Sequence, residues 1–290
     1  MPPANNMTWL ILTIISAVTF SLSRVLQRIL LKNNDSDSFA FSFIFPTLVS
    51  VAILAYSLLT GSFEIPNLAP VWFNMIIMIL FYSAGSVFIY QAFKDSPASE
   101  VSILFSSSSA WAVVSALLFL GEKLNILNII GIISIILGVI VINYQKSNWK
   151  FERGHLFALL GAAMFGIAFT NDAFILNLYK SVPPYIFLAF ILPAIAILLY
   201  KPSLTKSLPH YFSKEIFGKL ILTSSIYAIS AITIFAAYKA GGKASAINPI
   251  SQSSVVLTVI MSYFFLNEKD KLFQKIIGSI LVFGGALLLV

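Results

Sequence analysis

The chain has 290 residues, of which 59% are apolar and only 10% charged, with a formal net charge of +7. A soluble domain carries about 25% charged residues, so this composition excludes a soluble enzyme, a disordered chain and a nucleic-acid binder. Cysteine is absent, which removes disulfides, thiol nucleophiles and thiolate metal ligands.

A helix needs about 20 mostly apolar residues to cross a bilayer. The first run that satisfies this is 7–31. It lacks a positive leading segment and a small-residue cleavage site, so it reads as a retained helix. Further runs follow at 39–59, 71–93, 97–120 and 126–144. A second set follows at 154–178, 184–200, 216–238, 244–266 and 273–290. The connections carry breakers: Asn33-Asn34-Asp35, Pro66, Pro70, Pro183-Pro184, Pro202 and Gly241-Gly242. Trp9, Trp72, Trp149, Tyr144 and Tyr200 fall near span ends, where aromatic belts lie. The expected fold is an all-α integral membrane protein with ten transmembrane helices.

The two sets match each other. Leu120-Gly121-Glu122-Lys123 and Leu266-Asn267-Glu268-Lys269 are 146 residues apart, as are Ser107-Ser108 and Ser253-Ser254. Pro46 matches Pro193, and Gly131 and Gly138 match Gly278 and Gly285, all at 147. Phe93-Lys94 matches Tyr238-Lys239 at 145. These collinear matches divide the chain into five-helix repeats at 1–146 and 147–290. Five is odd, so the second copy enters the membrane from the opposite side. Inverted repeats of this kind are the construction of secondary transporters.

Ionisable residues inside a span cost about 2.5–3.5 kcal/mol each on insertion scales. Arg24, Glu100 and Asp172 are the three that stand out. A rise of about 1.5 Å per residue puts Arg24 and Asp172 in opposite halves of the bilayer, so they are not expected to pair. Arg24 or Arg28 could reach Glu100, whereas Asp172 would face Lys239, Lys243 or water. Glu100 also lies just after Pro97, where a helix N-terminus favours a carboxylate. Ser107 and Trp111 in the fourth span, and Asn248 and Gln252 in the ninth, are further candidates for a cavity lining. Tyr82, Tyr90 and Gln91 from the third span join them, with Tyr227 and Tyr238 from the eighth. Pro46 and Pro193 read as helix kinks. His155 and His210 read as interfacial, and no metal or other cofactor is expected.

Phe93-Lys94-Asp95-Ser96-Pro97-Ala98, Phe119-Leu120-Gly121-Glu122-Lys123 and the Gly131–Gly138 pair resemble the drug/metabolite transporter superfamily, in its ten-helix branch of two EamA-type domains. The second copy departs from the pattern, with Asn267 in place of Gly121. The resemblance covers nearly the whole chain. It implies a central cavity lined by the first, third, fourth, sixth, eighth and ninth helices, with the fifth and tenth peripheral. It also implies cytoplasmic termini. Charge implies the reverse: the face opposite the termini holds thirteen lysines and arginines, and the face with the termini holds four.

No Walker sequence and no metalloprotease or serine-hydrolase motif is present. The reading is therefore a secondary transporter of small organic metabolites, such as amino acids or related amphipathic compounds, and not an enzyme. Its candidate substrate-binding residues are Arg24, Tyr82, Ser107, Trp111, Asp172, Tyr227, Asn248 and Gln252. Glu100, Asp172 and Arg24 are the candidates for ion pairing or for a coupling proton. The expected partners are the substrate and the bilayer of a prokaryotic inner membrane. The alternatives are a flippase-like lipid handler or an intramembrane enzyme.

Overall fold

A computed structural model describes residues 6–32, 35–65, 67–120, 125–144, 152–178, 182–241, 247 and 250–289. The helices are α1 Asn6–Leu31, α2 Ser38–Leu59, α3 Trp72–Asp95, α4 Ala98–Phe105, α5 Ser108–Leu120 and α6 Ile126–Asn143. They continue with α7 Arg153–Leu178, α8 Val182–Tyr200, the single turn α9 Leu208–Tyr211, α10 Lys214–Lys239, α11 Ser254–Phe265 and α12 Leu272–Leu287. No strand occurs among the described residues. Eight helical segments are long and apolar enough to cross a membrane, with α4 and α5 counted as one, Ala98–Phe119. Where the ninth and tenth spans were expected lie two shorter apolar helices, Ile250–Phe265 and Leu272–Leu287.

Packing joins α1 to α10, α3 to α7, α2 to α8, and α6 to α12. In lipid, apolar side chains gain little from facing each other, so small residues decide where helices meet. Between α6 and α12, a Cβ at Gly131 would lie 2.7 Å from the Gly285 carbonyl oxygen, and one at Gly138 would lie 2.9 Å from that of Gly278. Both contacts therefore require glycine. The opposite face of α6, including Ile126, Ile129, Ile133 and Ile136, is exposed and apolar. Phe273, Ile276 and Ile280 do the same on α12. This pair therefore sits at the periphery of the bundle.

The fourth span is broken. Ser106 and Ser107 form a turn between α4 and α5, and the Ser107 hydroxyl donates to the Leu104 carbonyl at 2.7 Å. In the second copy, the Ser253 hydroxyl donates to the Ile250 carbonyl at 2.6 Å, at the start of α11. Serine competes with the helix for its own backbone groups, and both copies use this at the same place.

The Leu-(Gly/Asn)-Glu-Lys motif also acquires a physical meaning. Asn267 has φ 57°, a left-handed conformation that glycine and asparagine tolerate best. The turn aims the Glu268 carboxylate at the N-terminus of α4. There it accepts the Ala98 amide at 2.8 Å, the Ser99 amide at 3.1 Å and the Ser99 hydroxyl. Glu268 thereby satisfies donors that a helix start leaves open. Residues 121–124, which hold the first copy of the motif, lie outside the described residues.

Candidate functional site

A cavity of about 1150 Å³ lies in the middle of the bundle. Its wall comes from α1, α2, α3, α4, α5, α7, α8, α10 and α11, with contributions from α12 and the segment that follows it. The two serine breaks face it: Ser106, Ser108 and Ser109 from one, Ser251, Gln252 and Ser254 from the other. Gln252 donates to the Ser109 hydroxyl at 3.0 Å and so bridges them. Broken helices that face a cavity can present backbone groups to a ligand at membrane depth.

Among the described residues, two charged side chains line the cavity, Arg24 and Asp172. Arg24 is 5% exposed. Its guanidinium carbon lies 4.2 Å from the centre of the Phe105 ring, 4.7 Å from Phe20 and 5.4 Å from Phe93. Cation–π attraction offsets part of its desolvation. Its Nη1 is buried without a hydrogen-bond partner, and no described carboxylate lies within ion-pair distance.

Asp172 is the opposite case. The Tyr82 hydroxyl donates to Oδ2, and the Tyr185 hydroxyl donates to Oδ1 at 2.5 Å. Two phenols therefore hold this carboxylate. Lys243 lies outside the described residues, and so does the side chain of Lys239. Between the two charges runs a wall of rings. Phe105 meets Phe165 at 5.2 Å, and Phe165 meets Tyr82 at 5.3 Å, both edge to face.

The remaining expected residues divide. Tyr227 lines the cavity and packs against Phe20, Phe45 and Phe190 at 5.5–5.7 Å. Tyr90 and Tyr238 also line it, together with Pro46 and Pro193. Ser107 does not, because its hydroxyl closes the turn while its neighbours face inward. Trp111 is a correction: it is 44% exposed and absent from the cavity wall. Helix phase turns its ring outward, while its Cβ packs on Gly166 of α7. Gln91 is another correction, because it bonds Ser38 and Asp95 near the helix ends. Asn248 lies outside the described residues.

Glu100 is buried but does not reach the cavity. The expected pairing with Arg24 or Arg28 is not formed. Arg28 instead donates to the carbonyls of Phe93 and Lys94, both at 2.6 Å. Glu100 meets His155 Nε2 at 2.7 Å and Lys275 Nζ at 3.7 Å. His155 is a correction too: it is 1% exposed, not interfacial. Glu100, Glu152 and His155 place three potential ligand atoms within 4.8 Å of one another. Lys275 and Lys271 face the same carboxylates, so protein cations already balance them and the cluster does not read as a metal centre.

These contacts cluster at one end of the bundle, the end of Lys32, Lys94 and the α11–α12 turn. Asp37 caps α2, accepting the Phe39 amide at 2.8 Å, and its backbone amide donates to Tyr211 Oη at 3.0 Å. Lys94 donates to the Ser36 carbonyl. Hydrogen bonds thus join the helices at this end, next to the cavity-lining Gln27 and Phe93. At the other end the cavity reaches Val182, the first residue of α8, and Leu289.

Comparison with known proteins agrees with this architecture. The model of the EamA-like transporter family matches residues 7–144 and again 152–290. A Sinorhizobium sp. protein named "Uncharacterized transporter in cobO 3'region" is 26% identical over 140 residues, which cover 47% of this chain and 97% of that protein. A solved structure titled only "Crystal structure of protein" is 16% identical with a TM-score of 0.55, over 94% of this chain and 97% of that one. That likeness concerns the fold alone. Two family matches in tandem span most of the sequence, and the chain belongs to the EamA-like transporter family.

Proposed function

We propose that this multi-pass membrane protein is a secondary carrier of small amphipathic metabolites, a class that includes amino acids, working by alternating access of two inverted five-helix halves. Ten spans are counted when residues 244–266 and 273–290 cross together with the eight longer segments.

The observation that carries this reading is the exchange symmetry of the helix contacts. Exchanging each helix for its repeat partner turns α1–α10 into α7–α3, and α5–α7 into α11–α1. It turns α2–α10 into α8–α3 and leaves α2–α8 and α6–α12 as they are. All of these contacts occur. The glycine seam obeys the same exchange, since Gly131–Gly285 becomes Gly278–Gly138. Two halves related in this way can trade conformations, so a cavity between them opens to one face and then to the other. The hydrogen-bonded end is taken as the closed side in the state described here. The charge bias makes that side cytoplasmic in a prokaryotic cell membrane.

Asp172 is the proposed site of a coupling proton, because it is the one carboxylate in the cavity wall among the described residues. Asp172→Asn, reconstituted in liposomes, is expected to lose pH-gradient-driven uptake. A folded variant with normal uptake removes Asp172 from coupling. The carrier reading itself is tested by flux of a metabolite panel. Saturable exchange, with unlabelled solute accelerating exit of labelled solute, supports it; strictly linear flux supports a channel. Movement of labelled phospholipid instead would favour a lipid handler.

A further inference from the structure

Burial of a single charge demands a counter-charge or a full set of hydrogen bonds. Asp172 has its donors. Arg24 has three aromatic rings and a buried Nη1 without a partner, and its side chain borders a cavity of about 1150 Å³. A guanidinium is a planar fork of donors that matches a carboxylate. Its position is therefore that of a receptor group whose partner arrives with the ligand.

We propose that Arg24 is the anion subsite of the transport cavity and that the ligand is an organic monocarboxylate with an aromatic or apolar body. This rests on the carrier reading and narrows it. The single charge follows from the wall, where Arg24 is the only cation among the described residues and so balances one negative charge, not the two of a phosphate monoester. The apolar body follows from the surfaces next to Arg24: Phe20 and Phe105 flank the guanidinium, and Phe165 extends the wall toward Tyr82.

The geometry also disfavours an α-amino acid. Counting from the helix midpoints at about 1.5 Å per residue, Arg24 and Asp172 are separated by roughly 15–18 Å in depth. The ammonium of an α-amino acid is bonded to the carbon that bears its carboxylate. With the carboxylate on Arg24, that ammonium would sit beside the guanidinium and far from Asp172. A monocarboxylate without the adjacent ammonium avoids this repulsion.

The test is the thermal midpoint of the purified full chain in detergent, with matched probes. 3-Phenylpropionate and phenethylamine share a ring and a two-carbon chain but carry opposite charges. Phenylalanine adds the ammonium to the acid, phenyl phosphate supplies a dianion, and sodium chloride supplies an inorganic anion. A ligand that binds the folded state raises the midpoint with concentration. The expected result is a rise with millimolar 3-phenylpropionate, a smaller rise with phenylalanine, and none with phenethylamine. The rise should vanish in Arg24→Gln and require at least tenfold more acid in Arg24→Lys.

A rise with the amine but not the acid overturns the proposal. So does an undiminished response in folded Arg24→Gln, or a response to chloride equal to that of the acid. Silence toward 3-phenylpropionate, indole-3-acetate and hexanoate alike also overturns it. If Arg24→Gln does not fold, the acid-versus-amine contrast in the unaltered chain and the Arg24→Lys titration decide. None of these outcomes bears on alternating access, which two-sided labelling of the cavity reads separately.

Discussion

His155 Nε2 lies 2.7 Å from Glu100 Oε2, deep in the bundle and joining the two halves of the chain. On the other side of the ring, Nδ1 lies 2.7 Å from Asn143 Oδ1, while Asn143 Nδ2 donates to the Val139 carbonyl. His155 thus bridges Asn143 and Glu100, and Lys275, itself buried, lies 3.7 Å from the other carboxylate oxygen.

Breaking a buried ion pair from one side leaves a charge without compensation and typically costs about 3–5 kcal/mol. Glu100→Ala should therefore destabilise the fold by an amount in that range, measured as a fall in unfolding midpoint. Adding Lys275→Met should recover much of the loss, because the orphaned ammonium is removed as well. A double variant less stable than Glu100→Ala would show that Lys275 does not depend on Glu100.

Asp172 gives a second stability test. A hydrogen bond to a charged group contributes about 1.5–3 kcal/mol. Tyr185→Phe keeps the ring and removes the donor to Oδ1, so a loss of that size is expected in the unfolding equilibrium. Tyr185→Phe in an Asp172→Asn background should cost less, since the acceptor is no longer charged. Equal losses in both backgrounds would show that the phenol acts by packing alone.

The glycine seam separates two adjacent residues. A Cβ at Gly285 would meet the Gly131 carbonyl oxygen at 2.6 Å, whereas one at Gly284 meets nothing within 4 Å. Gly284→Ala should stabilise by about 0.5–1 kcal/mol, the usual gain in a helix interior. Gly285→Ala should destabilise by about 1–3 kcal/mol, because backbone must move to admit the methyl group. Thermal midpoints that move in the same direction for both would contradict the close approach of α6 and α12.

Capping of α4 by Glu268 is a link between the halves that does not depend on the cavity. Loss of a helix cap costs about 0.5–2 kcal/mol. Glu268→Ala should lower stability by that amount and speed amide exchange at Ala98 and Ser99. Unchanged exchange at these two amides would show that the carboxylate does not hold them.

Eight spans were legible because twenty apolar residues in a row have few other uses, and the two family matches in tandem follow the offset at which prolines and glycines recur. Ser107 was expected to line the cavity, but the helix break at Ser106 and Ser107 was not legible. A serine that ends a helix and one that rides along it look alike in sequence. Trp111 failed because helix phase around that break could not be set in advance. His155 failed for a different reason. It lies 55 residues from Glu100, at the edge of a span, and only the packing of α7 against α4 makes it a buried partner. Tyr185 follows Pro183-Pro184, and nothing local in the sequence indicates that it faces Asp172. The motif around Glu268 marked the family from the beginning, yet its role as a cap on α4 depends on a contact 170 residues away.

Two-sided accessibility tests alternating access most directly. Because the chain has no cysteine, Ala231→Cys places a single thiol in the cavity wall, on α10. In sealed vesicles of known orientation, a membrane-impermeant maleimide should label it from the face that holds Val182 and Leu289, and not from the face that holds Glu268. A transported solute should move labelling toward the second face, and excess solute held on that face should reverse the change. Simultaneous labelling from both faces would contradict a carrier and indicate an open pore; labelling confined to one face with every transported solute would contradict exchange between the two halves.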